Sequence, residues 1–204
     1  IESSTQIDLY DGTYKYALTS VTKELAESVL EDIKEQGLTI IDVQQKETRR
    51  SPYPPFITST LQQAAFRRFG YAGKRTMSLA QRLYEEGFIT YHRTDSFNLS
   101  GVFIKSSREY IEKELGRQYL SPEIKVFKTK SKSAQEAHEA IRPTDMSRHT
   151  VNIDRDQARL YDLIWKRTLA SQMSDAELER TNVKIEASNH SETFSATGQV
   201  IKFE

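Results

Sequence analysis

Between Gly87 and Ser100 the chain reads GFITYHRTDSFNLS, which sets a phenol, a guanidinium, a carboxylate and several hydroxyls behind a short apolar run. A tyrosine becomes a useful nucleophile toward phosphorus when its phenol, of pKa about 10, loses its proton and the phosphate charge is offset. Positive charge beside the oxygen helps with both. Arg93 stands two residues from Tyr91, so in an extended chain both project to the same side. Its planar fork matches phosphate oxygens bidentately. Thr90, Thr94 and Ser96 add neutral donors, and Asp95 can orient the arginine. One tyrosine among ten means little alone. The combination carries the reading.

A second cluster is EAHEAIRPT. Read as a short helix stopped by Pro143, it puts His138 and Arg142 on one face, where they can hold a phosphate. The same pattern also describes a solvated face with an internal Glu139–Arg142 pair, and Arg142 stands where a zinc-binding HExxH helix would need histidine. RRFGYAGKR offers Arg67, Arg68, Lys74 and Arg75 to phosphates and Tyr71 as a stacking surface. KVFKTKSK, from Lys125 to Lys132, is a lysine run. Either stretch reads equally as a solubilising surface. Thr58, Ser59 and Gln62 open a helix and can donate to an anion there, or Thr58 simply caps it. Asp154 and Asp156 have the spacing of a magnesium pair but fall at a helix start, where acids cap and complement the dipole. No metal site is expected in the chain, and no Gly-rich phosphate loop is found.

The elements that position these groups follow from periodicity. The 204 residues carry 29 basic and 29 acidic side chains, so any case for nucleic acid rests on local patches. Cysteine is absent, which removes disulfides, thiolate metal sites and a cysteine nucleophile. No apolar run approaches the roughly 20 residues that span a bilayer; a cytoplasmic protein without membrane partners is expected. A strand at Thr13–Thr19, a helix from Thr22 to Gly37 and a strand at Leu38–Gln44 suggest a β-α-β unit, with a linker over Lys46–Pro55. Helices follow from Thr58 to Gly70 and from Thr76 to Gly87, then a strand at Phe88–Ile89 and a helix from Ser100 to Gly116. Another, amphipathic through Tyr161, Ile164, Trp165 and Leu169, runs from Asp154 to about Met173. NVKIEA and QVIKFE close as strands, and the chain reads as a piece of a longer protein. The predicted class is α+β: a helical, winged-helix-like domain over 51–177 inserted into a small β-rich domain made of 1–50 and 178–204.

PPFITSTLQQAA, TMSLAQRLYEEGFITYHRTDS, AQEAHEAIRPT and LYDLIWKRTLASQM resemble, in order, the core motifs of type IA DNA topoisomerases, nearest to their bacterial branch. The resemblance runs from about Pro54 to Met173. It implies that Tyr91 attacks a single-stranded DNA phosphodiester and keeps a 5′-phosphotyrosine link, that Arg93 stabilises the attacked phosphate, and that His138 contacts DNA near the site. It implies a catalytic domain inserted into a hinge domain, and a nucleoid-associated enzyme that relaxes negative supercoils without ATP. Magnesium would be held in an N-terminal Toprim domain outside this chain, which is then the missing partner. His92 stands where bacterial relatives often carry methionine. Histidine there leaves reverse gyrase as a second reading, and a non-catalytic helix-turn-helix module is a third.

Overall fold

The computed structural model describes residues 2–9, 12–19, 22–127, 139–187 and 193–203. Two compact units emerge, Ile1–Thr48 with Leu178–Lys202 and Arg49–Glu177 with Phe203–Glu204. The class is α+β, as the pattern predicts.

In the first unit β1 (Glu2–Leu9) pairs antiparallel with β2 (Gly12–Thr19), in a register that sets Leu9 opposite Gly12. α1 (Lys23–Gln36) follows and stops at Gly37, whose φ of 77° is a left-handed conformation that glycine adopts without strain. β3 (Leu38–Arg50), β4 (Ala176–Ala187) and β5 (Thr193–Phe203) form a second sheet in the order β3-β4-β5. The β-α-β expectation therefore fails, because β2 and β3 lie in different sheets. A hairpin closes across a two-residue connection, whereas a parallel pair needs a crossover helix packed on the sheet. The Asp11-Gly12 pair between two alternating runs was the available hairpin signal. β3 also runs through to Arg50, which leaves only Ser51 onward for the expected linker.

The second unit is built on α2 (Thr58–Phe69), α3 (Gly73–Glu85), α4 (Gly101–Tyr110) and α5 (Arg155–Ala170). α4 continues into a π-helical turn, Ile111–Leu115, that ends at Gly116. The apolar spacing packs as read: Leu61 and Ala65 of α2, Leu79 and Leu83 of α3, Phe103 of α4, and Leu160, Ile164 and Trp165 of α5 share one core. The polar ends of α5's aromatics are satisfied inside it, Trp165 donating to the Met146 carbonyl at 3.0 Å and Tyr161 to that of Arg148 at 2.6 Å. Ser100 caps α4 and Asp154 caps α5, as predicted.

Other boundaries differ. Ile57, not Thr58, is the N-cap of α2, and its N–H donates to the Thr60 hydroxyl at 3.1 Å. α3 starts at Gly73 behind Ala72, so Thr76 is inside the helix, fully buried, and donates to the Ala72 carbonyl. Phe88–Ile89 forms no strand; Ile89 makes one isolated bridge to Pro143, and Phe56 another to Ile141. Residues 139–143 accordingly hold no helix, where the predicted short helix was to end; its earlier part lies outside the described residues. Pro143 lacks an N–H and disfavours helix for the residue before it.

Candidate active site

Residues 91–96 lie in no regular strand, yet their exposure alternates strictly. Tyr91, Arg93 and Asp95 face out, whereas His92, Thr94 and Ser96 are buried. Tyr91 is 47% exposed and Ser96 1%. The period of two read from the sequence thus survives without a ladder, because the buried members are tied down one by one. The Ser96 N–H donates to the Thr94 hydroxyl at 3.1 Å, and the Asn98 N–H to the Ser96 hydroxyl at 3.2 Å. Thr94 and Ser96, predicted as phosphate donors, are buried, and their hydroxyls accept in these turns.

Thr58 is the latch. Its hydroxyl lies 2.9 Å from the His92 carbonyl and 3.1 Å from that of Thr94, and it accepts the Thr94 N–H at 3.0 Å. The first turn of α2 is thereby clamped to the segment that carries Tyr91. A cleft of about 450 Å³ opens at this joint, lined by Ile57, Thr58, Ser59, Gln62, Arg93, Thr94 and Asp95. Thr58, Ser59, Gln62, Arg93, Thr94 and Asp95, all sequence candidates, thus meet in one place. Thr58→Val keeps the shape but strands the Thr94 N–H, and is expected to lower unfolding free energy by about 1–3 kcal/mol. Urea unfolding checks this; a midpoint equal to wild type contradicts the latch.

Other candidates are placed elsewhere or are already engaged. The Thr90 hydroxyl donates to the Ala140 carbonyl at 2.7 Å and accepts the Arg142 N–H at 3.0 Å. Arg142 lies in no helix. Its guanidinium grips Glu139 at 2.6 Å, donates to the Pro143 carbonyl, and lies 4.2 Å over the Phe103 ring. Burial pushes the Glu139 carboxyl up, but the Arg142 and Ser100 hydrogen bonds outweigh it and hold the pKa below the usual range. The internal pair, left open above, is what forms. His138 lies outside the described residues, as does the lysine run from Lys128 onward. Lys125 is bonded to Asp175. Arg67, nine residues or about 13 Å along α2 from Thr58, bonds Gln63 and does not line the cleft.

Tyr71 cannot stack a base. It is 5% exposed, donates to Asp156 at 2.6 Å, and lies under the Arg75 guanidinium at 4.8 Å. Asp156 also pairs with Arg75, and the Tyr71 hydrogen bond is the main cause of its lowered pKa. Asp154 accepts the Asp156 N–H. Asp154 is the α5 cap, as expected, whereas the Asp156 carboxylate in the first turn is taken by Tyr71 and Arg75.

Tyr84 escaped the sequence reading. Its ring centroid is 5.3 Å from that of Tyr91, edge-on at 67°, and it is 41% exposed. The available signal was position: α3 buries residues 79, 80 and 83, which turns the next aromatic outward near the Gly87 stop. His92, a departure from its bacterial relatives, is fully buried beside both rings.

An α+β chain that lifts a half-exposed tyrosine and an arginine beside a polar cleft matches a known class: this chain belongs to the type IA DNA topoisomerase family, whose model, described as DNA topoisomerase, matches residues 4–204. It is 46% identical to DNA topoisomerase 1 of Zymomonas mobilis over 186 residues, covering 91% of this chain and 15% of that protein. With DNA topoisomerase 1 of Campylobacter jejuni it shares 42% over 200 residues, covering 92% and 28%. Among solved structures, full-length topoisomerase I from Thermotoga maritima aligns with a TM-score of 0.72 at 30% identity, covering 94% of this chain and 32% of that one. The chain therefore spans 15–28% of the length of these two curated relatives.

Proposed function

We propose that this chain carries the nucleophile of a DNA-relaxing isomerase and that Tyr91 is that nucleophile. The Tyr91 phenolate oxygen bonds to phosphorus in single-stranded DNA, the P–O3′ bond breaks, and the leaving 3′ oxygen takes up a proton. The product is a 5′-phosphotyrosine link. Its energy is close to that of the bond it replaces, so the reverse attack by the 3′ hydroxyl reseals the strand without ATP. Passing another strand through the gap relaxes negative supercoils. Arg93 holds the charge that develops on the phosphate, and the first turn of α2 presents donors beside it.

One observation carries this reading. Tyr91, Arg93 and Asp95 share the outward face of a segment whose alternate residues are buried and latched to α2. Family membership supports DNA as the substrate.

The family also implies magnesium, which would stabilise charge at the reacting phosphate. Asp154 and Asp156 do not fit it, since their oxygens serve the α5 cap, Tyr71 and Arg75. No cluster of three or more His, Cys, Asp or Glu among the described residues is placed for a metal. On this reading the metal belongs to a Toprim domain outside this chain, and the whole protein acts on nucleoid DNA in the cytoplasm.

The test is to trap the full-length protein on a single-stranded oligonucleotide with denaturant, digest it, and map the nucleotide-bearing peptide. The peptide containing Tyr91 is expected. A link at any other residue overturns the assignment.

A further inference from the structure

We propose that His92 is a positioning residue for Tyr91: its neutral ring is the floor that holds the phenol in place, and charging that ring withdraws the phenol from the phosphate. The inference rests on the reading of Tyr91 as the nucleophile. His92 is 0% exposed, and among the described residues neither ring nitrogen has a hydrogen-bond partner. Buried polar groups are almost always paired, so such a ring calls for an explanation. Its geometry supplies one. The three rings of Tyr84, Tyr91 and His92 are mutually packed, with centroids 5.3 Å apart for Tyr84–Tyr91, 5.2 Å for Tyr91–His92 and 6.0 Å for Tyr84–His92. Both contacts to Tyr91 are edge-on at 67°, the arrangement aromatic quadrupoles favour. Among the described residues the Tyr91 hydroxyl has no hydrogen-bond partner, so its ring is located by these two edges and by its own backbone.

The backbone gives the floor little freedom. The His92 carbonyl receives the Thr58 hydroxyl, which pins to α2 the backbone that carries the imidazole. The titratable and charged groups facing His92 are Tyr84 and Glu85 from α3 and Tyr91 and Arg93 from its own segment. Burial lowers the His92 pKa below 6.5 and the Arg93 charge lowers it further, against a smaller opposite pull from Glu85. The sign follows. Above about 6.5 neither the folded nor the unfolded chain holds this proton, and stability is level. As pH falls from there toward the lower folded value the unfolded chain gains the proton first, so folded stability at this site declines. Once the ring does charge, no acceptor meets either N–H, and the segment must open to hydrate it.

The experiment measures, in the full-length protein, the rate of covalent adduct formation on a single-stranded oligonucleotide from about pH 8.5 to 5, with circular dichroism confirming the fold at each point. Below the folded pKa the wild-type rate should carry a loss of about tenfold per pH unit from His92 charging, on top of any loss shared by all variants. His92→Met fills the space with a side chain that never charges. Normalised to its own alkaline plateau, its acid limb should be shallower or absent. A merely structural His92 would alter thermal midpoints while leaving the two normalised profiles superimposed, and superimposed profiles overturn the proposal. Should His92→Met not fold, His92→Phe provides the same comparison. An adduct that persists in Tyr91→Phe would instead overturn the nucleophile assignment, leaving the two failures distinct.

Discussion

Replacing Tyr91 with phenylalanine in the full-length protein is expected to abolish covalent protein–DNA adducts and to reduce relaxation of supercoiled plasmid by roughly 10⁴-fold or more, the scale seen when a covalent nucleophile is removed. The change deletes one oxygen and keeps the ring that Tyr84 and His92 pack against. That oxygen makes no hydrogen bond among the described residues, so the fold and the affinity for single-stranded DNA should persist. Loss of adduct with binding retained separates a catalytic tyrosine from a module that merely holds DNA. An adduct that survives would direct attention to Tyr84, whose phenol is also open to solvent at 41% exposure.

The second large effect concerns Arg93. Arg93→Ala is expected to slow cleavage and resealing by roughly 30- to 1000-fold, about 2–4 kcal/mol, the usual cost of removing a charged donor that acts in a transition state. Its side chain faces out and forms no ion pair among the described residues, so the thermal midpoint should hardly move. Arg93→Lys then separates charge from shape: partial recovery is expected, because an ammonium supplies the charge without the bidentate fork. A rate for Arg93→Ala within a factor of about three of wild type, under 1 kcal/mol, would remove the residue from the mechanism.

The parts of this molecule that were legible in its sequence are those governed by local rules. Leu160, Ile164 and Trp165 recur at helical spacing, and α5 packs along that stripe. Gly37, Gly70, Gly87 and Gly116 stop helices because each takes a positive φ there. Tyr91 and Arg93 share one side, since alternation holds in any extended chain. What was not legible depends on partners distant in sequence. Thr58 looks like a cap until the Thr94 backbone, 36 residues away, claims its hydroxyl. Residues 139–143 look helical until Phe56 and Ile89 take them as bridge partners. Tyr71 looks like a stacking platform until Asp156, 85 residues away, draws its hydroxyl inward. In each case a side chain with two local options was decided by tertiary packing.

The pairing of β3 with β4 sets a timetable for the newborn chain. Among the described residues β3 has no other strand neighbour, and about 125 residues separate its end from the start of β4. A ribosome adding 5–20 residues per second delivers the partner roughly 6–25 s later. Throughout that wait β3, with Leu38, Ile40, Ile41 and Val43 outward even in the finished structure, is an open edge of the kind that invites intermolecular pairing. The intervening segment is contiguous and carries its own core, so it can fold during the pause and draw its two ends together. The Ser51 hydroxyl then reaches Asp175 at 2.8 Å, and Arg49 reaches Glu177 at 3.1 Å. Those clasps bring β4 alongside β3, and the stretch of chain that was made early is among the last to be completed.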